Sequence, residues 1–233
     1  MADYLFFDLD GTLTDPFEGI SGSILHALDR MGLDKPERSF LRRFIGPPLV
    51  PSFREYLGMT ADMAEEALRY YREYFSVTGL FENTVYPGIP ETLGKLREAG
   101  FVLCVATSKP EPFARRILEH FSLDGHFAEI CGATLDGVRG TKAEVLFELL
   151  RRLPPEDNRC LMIGDRRHDA EGAREAGLRT VGVLWGYGSR EELTEAGCAA
   201  LAEVPADLCS LLTDSRSGAP DLFTPPRPVR NTP

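Results

Sequence analysis

The chain has 233 residues, 43% hydrophobic and 27% charged, with a formal net charge of −10. That length admits one sizeable domain, or a core carrying a smaller insertion. The negative balance disfavours nucleic acid polymers and anionic membranes as partners, although a local cluster of donors and a cation could still hold a phosphate.

No apolar run approaches the roughly 18 residues that span a bilayer, and the N-terminus carries an acid where a secretory signal carries basic charge. The five cysteines, Cys104, Cys131, Cys160, Cys198 and Cys209, form no C-x-x-C pair. They read as buried, reduced thiols of a cytoplasmic protein. The sequence leaves monomer and homodimer open.

Tyr4 to Phe7 is a short apolar run that stops at Asp8-Leu9-Asp10-Gly11, the pattern of a buried strand ending in an acidic loop. Phe17, Ile20, Ile24, Leu28 and Met31 then recur at helical spacing. A second helix is predicted from about Thr60 to Phe75, with Thr60 as its N-cap. Gly46-Pro47-Pro48 breaks the helical pattern between them. After Pro87-Gly88 the pattern changes to alternation. Apolar runs at 101–106, 127–131, 160–163 and 180–184 read as strands, with helices predicted at about 90–99, 112–120, 142–152 and 168–176.

Such alternation implies a Rossmann-like parallel sheet covered on both faces, interrupted after its first strand by an all-helical insertion. The expected organisation is an α/β core at 1–15 and 84–213, a helical cap at 16–83 and a flexible tail at 214–233. The tail is rich in Pro, Ser and Arg and has no periodicity.

Ligands of such sheets bind at the carboxyl ends of the strands. There the sequence places Asp8, Asp10, Gly11 and Thr12, then Thr107, Ser108 and Lys109, then Gly164-Asp165-Arg166-Arg167-His168-Asp169. Four neighbouring carboxylates raise one another's pKa values, which a divalent cation would relieve. Oxygen-only ligands suit Mg²⁺, and no Cys/His cluster has zinc spacing. A D-x-D-G-T string arises by chance in on the order of one chain in several hundred of this length. An EF-hand reading fails, because the Gly is fourth rather than sixth and a strand precedes the loop.

In order, D-L-D-G-T-L-T at 8–14, V-A-T-S at 105–108, Lys142 and G-D-R-R-H-D at 164–169 resemble the motifs of the haloacid dehalogenase-like phosphatases. The insertion resembles the cap of their phosphoglycolate phosphatase-like branch, as does Phe44-Ile-Gly-Pro-Pro-Leu49. The resemblance implies that Asp8 is the nucleophile and Asp10 the general acid and base. It implies that Thr107 and Lys142 stabilise the transferring phosphoryl group, with Lys109 a rival for the lysine's duty. Mg²⁺ would be held by Asp8, the main-chain carbonyl of Asp10, Asp165 and Asp169.

Gly11, Thr12, Ser108, Lys109, Arg43 and Gly46 are the expected substrate contacts. Arg42 and Arg54 are further cationic candidates in the cap, and His168 reads as a solvated histidine. The expected activity is hydrolysis of a small, phosphoglycolate-like phosphomonoester. A 5′-nucleotidase or sugar-phosphate phosphatase is the closest alternative, and a sugar-phosphate mutase shares the motifs. A catalytically silent binding protein is disfavoured because every motif position is filled.

Overall fold

The computed structural model describes residues 3–153, 159–216 and 221–224. β1 (Asp3–Phe7) is buried along its whole length. β2 (Thr14–Asp15) leads into α1 (Phe17–Arg30), a 3₁₀ helix (Arg38–Phe44), α2 (Leu49–Leu57), α3 (Ala61–Tyr74) and a π-helical turn (Phe75–Gly79). β3 (Thr84–Val85) follows, then α4 (Ile89–Glu98), β4 (Val102–Pro110), α5 (Glu111–His120), β5 (Glu129–Ala133) and α6 (Lys142–Arg152). The chain continues through β6 (Arg159–Gly164), α7 (Arg167–Glu175), β7 (Arg179–Val183), α8 (Arg190–Glu195), β8 (Ala200–Ala202) and α9 (Asp207–Arg216).

The main sheet has the order β5-β4-β1-β6-β7-β8, and all its pairings are parallel. Strand side chains alternate between its faces. Leu5, Phe7, Leu103, Val105, Leu161 and Ile163 join one large core, which also takes in α4, α5, α9 and the helices of 17–79. Tyr4, Phe6, Cys104, Ala106, Cys160 and Met162 face the other way, toward Val145, Leu146 and Leu149 of α6 and Ala173 of α7. Burial on both faces is why these strands read as continuous apolar runs rather than as alternating ones. None of the five cysteines, Cys104, Cys131, Cys160, Cys198 and Cys209, forms a disulfide. No helix among the described residues is long and apolar enough to cross a membrane.

β1 lies between β4 and β6, where the strand order reverses, so the crevice outside its carboxyl end is the place for a ligand. The helical segment joins the sheet through adjacent crossings, since β2 and β3 pair antiparallel with Thr14 opposite Val85 and Asp15 opposite Thr84. Ile20, Ile24 and Leu28 form the buried stripe of α1. Thr60 caps α3 by accepting a hydrogen bond from the Met63 amide.

Two expectations change. The strand read from the apolar run at 101–106 does not stop there; β4 runs on through Thr107-Ser108-Lys109 to Pro110, with a register shift against β5 after Thr107. Nor is the whole of 214–233 a loose tail. Residues 214–216 continue α9, and Leu222 and Phe223 are buried against the core. Phe223 stacks on Phe101 at 6.3 Å between ring centroids, and the Arg159 guanidinium lies over the Phe223 ring at 4.9 Å. Local polarity hides this, because two apolar side chains in a Pro-rich run carry no period. The rest of that predicted tail lies outside the described residues.

Candidate active site

Asp8 leaves the end of β1 with its amide donating to the Ile163 carbonyl at 2.9 Å, so the neighbouring strand fixes where its side chain emerges. The chain then turns tightly, the amides of Thr12, Leu13 and Thr14 all donating to the Leu9 carbonyl. Gly11 makes that turn with φ +86°, and a Cβ there would fall 2.2 Å from Oδ2 of Asp165. Only glycine satisfies both demands.

Asp165 lies just past the end of β6, and Asp169 lies in the first turn of α7. Carboxylate oxygens of Asp8, Asp165 and Asp169, all buried, lie within 4.8 Å of one another. Each acid is held. Thr12 Oγ1 donates to Asp165 Oδ1 at 3.3 Å, and the Tyr187 amide donates to Asp165 Oδ2 at 2.8 Å. The Arg166 amide donates to Asp169 Oδ2 at 3.1 Å.

Lys142 closes the group. Its Nζ lies 2.8 Å from Asp8 Oδ1, 2.8 Å from Asp169 Oδ1 and 2.8 Å from the Ala106 carbonyl. First-turn helical lysines ordinarily lie in solvent, but this one is 5% exposed. The capping box of Thr141 and Glu144 starts α6 so that Lys142 points inward. Burial alone would lower its pKa, yet Asp169 and Asp8 raise it above the usual lysine value, so it stays charged.

The carboxylates feel the opposite strain. Burial, then Asp169 and Asp8, push Asp165 well above the ordinary range. Burial foremost raises Asp169 to about 6, against the pull of Lys142. Three buried acids with one shared lysine therefore carry an excess of negative charge, and a hard divalent cation with oxygen ligands fits them.

Asp10 stands apart from this triad. Its Oδ2 pairs with Lys109 Nζ at 2.8 Å, and both side chains are nearly buried. Burial raises its pKa, with Lys109 opposing. The Lys109 ammonium also sits 4.5 Å from the centre of the Phe75 ring, which belongs to the helical segment. The two lysines so close in expectation thus have separate partners: Lys142 serves Asp8 and Asp169, and Lys109 serves Asp10.

A cavity of about 500 Å³ opens between the sheet and the helical segment. Asp10, Ser108, Lys109 and Gly46 line it, together with Tyr71, Phe75, Phe113, Leu49 and Leu135. Thr107 is buried at the strand end, where its hydroxyl accepts the Lys109 amide at 3.2 Å.

Some expected substrate contacts fall elsewhere. The Gly11 and Thr12 amides are used by their own turn, and the Thr12 side chain faces Asp165. Arg43 is exposed and lies over the rings of Phe40 and Tyr56, at 5.3 and 5.1 Å, and is not among the residues lining the cavity. Its helical turn directs it outward. Arg42 lies over Tyr187, and Arg54 is exposed. His168 is partly buried, and burial lowers its pKa.

Sequence reasoning missed the loop after β7. Trp185 Nε1 donates to the Thr12 carbonyl at 2.9 Å, and a Cβ on Gly188 would fall 2.0 Å from the Asp165 carbonyl oxygen. The rule that strand ends carry the site, applied to β7 as to β1, would have found it.

With this geometry in place, the relationships are informative. The family model of the haloacid dehalogenase-like hydrolases matches residues 5–183. The chain is 50% identical over 189 residues to a 5′-nucleotidase of Pseudomonas aeruginosa, covering 81% of this chain and 86% of that protein. It is 47% identical over 184 residues to a Mycobacterium tuberculosis protein named tyrosine-protein kinase PtkA, covering 79% of this chain but only 62% of that one. A predicted phosphatase from Clostridium acetobutylicum superposes with a TM-score of 0.86 at 41% identity, over 92% of this chain and 99% of that one. The chain belongs to the haloacid dehalogenase-like hydrolases. Within that family it is an enzyme of the phosphatase class.

Proposed function

We propose that the protein is a Mg²⁺-dependent phosphomonoesterase that works through an aspartyl-phosphate on Asp8, with residues 16–83 acting as a cap over the site. The observation that carries this reading is the division of the acids. Asp8 lies in a buried triad bridged by Lys142, while Asp10 lies at the cavity, raised by burial and paired with a different lysine. Two carboxylates in unlike environments suit a nucleophile and a proton carrier.

A carboxylate oxygen of Asp8 attacks phosphorus as the ester P–O bond breaks, and Asp10 gives its proton to the departing oxygen. Water then attacks the phosphoryl group and yields a proton to Asp10. The bond to Asp8 breaks, releasing inorganic phosphate and the free carboxylate. Lys142 keeps positive charge beside Asp8 throughout. Asp8, Asp165, Asp169 and the Asp10 carbonyl would hold Mg²⁺, which when bound supplies charge neutralisation for the acids and the phosphoryl oxygens. Thr107 and Ser108, at the end of β4, are the proposed phosphoryl donors.

The cavity bears on the substrate. Volumes of roughly 300–1,000 Å³ hold ligands of drug size. A cavity of about 500 Å³ walled by Tyr71, Phe75, Phe113 and Leu49 therefore favours an ester with a nucleoside-sized leaving group over a phosphoglycolate-like acid. The 50% identity to a 5′-nucleotidase supports the same choice.

The test is phosphate release by the purified protein with Mg²⁺ from nucleoside 5′-monophosphates, 2-phosphoglycolate, sugar phosphates and p-nitrophenyl phosphate. Asp8→Asn should lower kcat on the order of 10⁴-fold or more with the fold retained. Turnover surviving that change would remove Asp8 as nucleophile. An isomerised sugar phosphate without free phosphate would mark a mutase. Label passing to protein tyrosine instead of phosphate would mark the activity in the mycobacterial relative's name.

A further inference from the structure

Arg166 directly follows Asp165, and its side chain is only 17% exposed. Its Nε lies 2.9 Å from Glu192 Oε1, at the start of α8. One terminal nitrogen donates to the Ile45 carbonyl at 2.7 Å. That carbonyl belongs to the residue following the 3₁₀ helix, where helical structure leaves acceptors without a partner. A charged donor at this distance makes a strong bond.

Gly46 comes next and lines the cavity with Pro47 and Leu49. It has φ +100°, and a Cβ there would lie 3.2 Å from Arg166 Cγ. The backbone of Arg166 holds Asp169, which shares Lys142 with Asp8. One residue thus touches the acid loop with its main chain and the cavity wall with its side chain.

From this we propose that Arg166 is a positioning residue: it docks segment 45–49 against the acid loop and so sets affinity for the substrate's leaving group. The inference rests on the phosphatase reading above. Arginine suits the task because its planar fork reaches Glu192 and Ile45 together, which a lysine ammonium does not. Glu192 fixes the fork and also accepts the Arg167 amide at 2.9 Å, tying α8 to the same loop.

The experiment compares wild type, Arg166→Ala, Arg166→Lys and Glu192→Gln as full chains with Mg²⁺. One probe, 5′-AMP, has a leaving group that reaches the cavity wall; the other, acetyl phosphate, is too short to do so. In Arg166→Ala, KM for 5′-AMP should rise about tenfold while kcat changes less than about threefold and acetyl phosphate kinetics stay near wild type. Arg166→Lys should recover part of the loss, and Glu192→Gln should fall between wild type and Arg166→Ala. Hydrogen exchange without any added probe should quicken about tenfold at the amides of Ile45, Gly46, Leu49, Val50, Ser52 and Phe53 and remain unchanged in α6.

Unaltered exchange at those amides in Arg166→Ala would overturn the proposal. So would a parallel loss of kcat on both probes, which would make Arg166 part of the acid site itself. Should Arg166→Ala not fold, the lysine and glutamine variants make the same comparison. Wild type inert on both probes would defeat the reading of a nucleoside-sized leaving group, while the exchange data would still decide the Arg166 contact.

Discussion

Asp169 illustrates how a residue's surroundings set its chemistry. Burial raises its pKa to about 6, Lys142 works against that rise, and Asp8 adds to it. The folded state therefore keeps a proton that the unfolded chain, at the ordinary 3.8, has already released. Without a cation, stability should fall as pH climbs from 3.8 through about 6. A cation reverses the balance by taking the proton's place. Apparent Mg²⁺ affinity should thus tighten as pH rises through about 6. Calorimetric titration at pH 5 and pH 7, in buffers of different ionisation heat, checks this through proton release. Affinity that does not change with pH would contradict the assignment of these acids.

At the scale of elements, the C-terminal segment matters more than its composition suggests. Leu222 and Phe223 close the core over Phe101, and the Leu222 amide donates to Ser215 Oγ at 2.8 Å. Phe223→Ala should destabilise the protein by about 1–3 kcal/mol, less than a central core phenylalanine because a chain end can peel away locally. Urea unfolding measures the loss, and kinetics should be unchanged, since this contact lies at the amino ends of β4 and β6 while the acids lie at the carboxyl ends of β1 and β6. The β2–β3 ribbon matters in a different way. It brings both connections of the helical segment side by side, so a movement of that segment would bend the chain at one place.

Across the whole molecule, Asp3 joins chain ends that are remote in sequence. Its carboxylate pairs with Arg159 of β6 at 2.7 Å and Arg216 of α9 at 2.5 Å. Burial would raise its pKa, but hydrogen bonds from Arg159 and Arg216 prevail and hold it below 3.8. The sign is opposite to that of Asp169. Asp3 contributes stability that is complete above the unfolded value and lost as pH falls through the folded one. Asp3→Asn should cost about 1–2 kcal/mol at pH 7, both arginines being partly solvated, and much less near pH 2. Thermal unfolding of both proteins across that range tests it; an equal difference at every pH would refute the pairing.

What the sequence by itself determined is the order of the five central strands and the helices between them, and the position of the acids at strand ends. Both follow from local rules; the same rules missed α2, the β2–β3 ribbon and everything after β7. Apolar runs buried on two faces look alike wherever they occur, and a strand that stops at Asp8 or Asp165 announces itself. Tertiary structure alone decided the partners. Whether Lys142 or Lys109 met Asp8 depended on the inward start of α6 and on the irregular end of β4, which no spacing encodes. The outward turn of Arg43, the role of the Trp185–Gly188 loop and the burial of Phe223 were hidden for the same reason. Each depends on contacts between segments far apart in the chain, and a local pattern records which face a residue takes but not what waits across it.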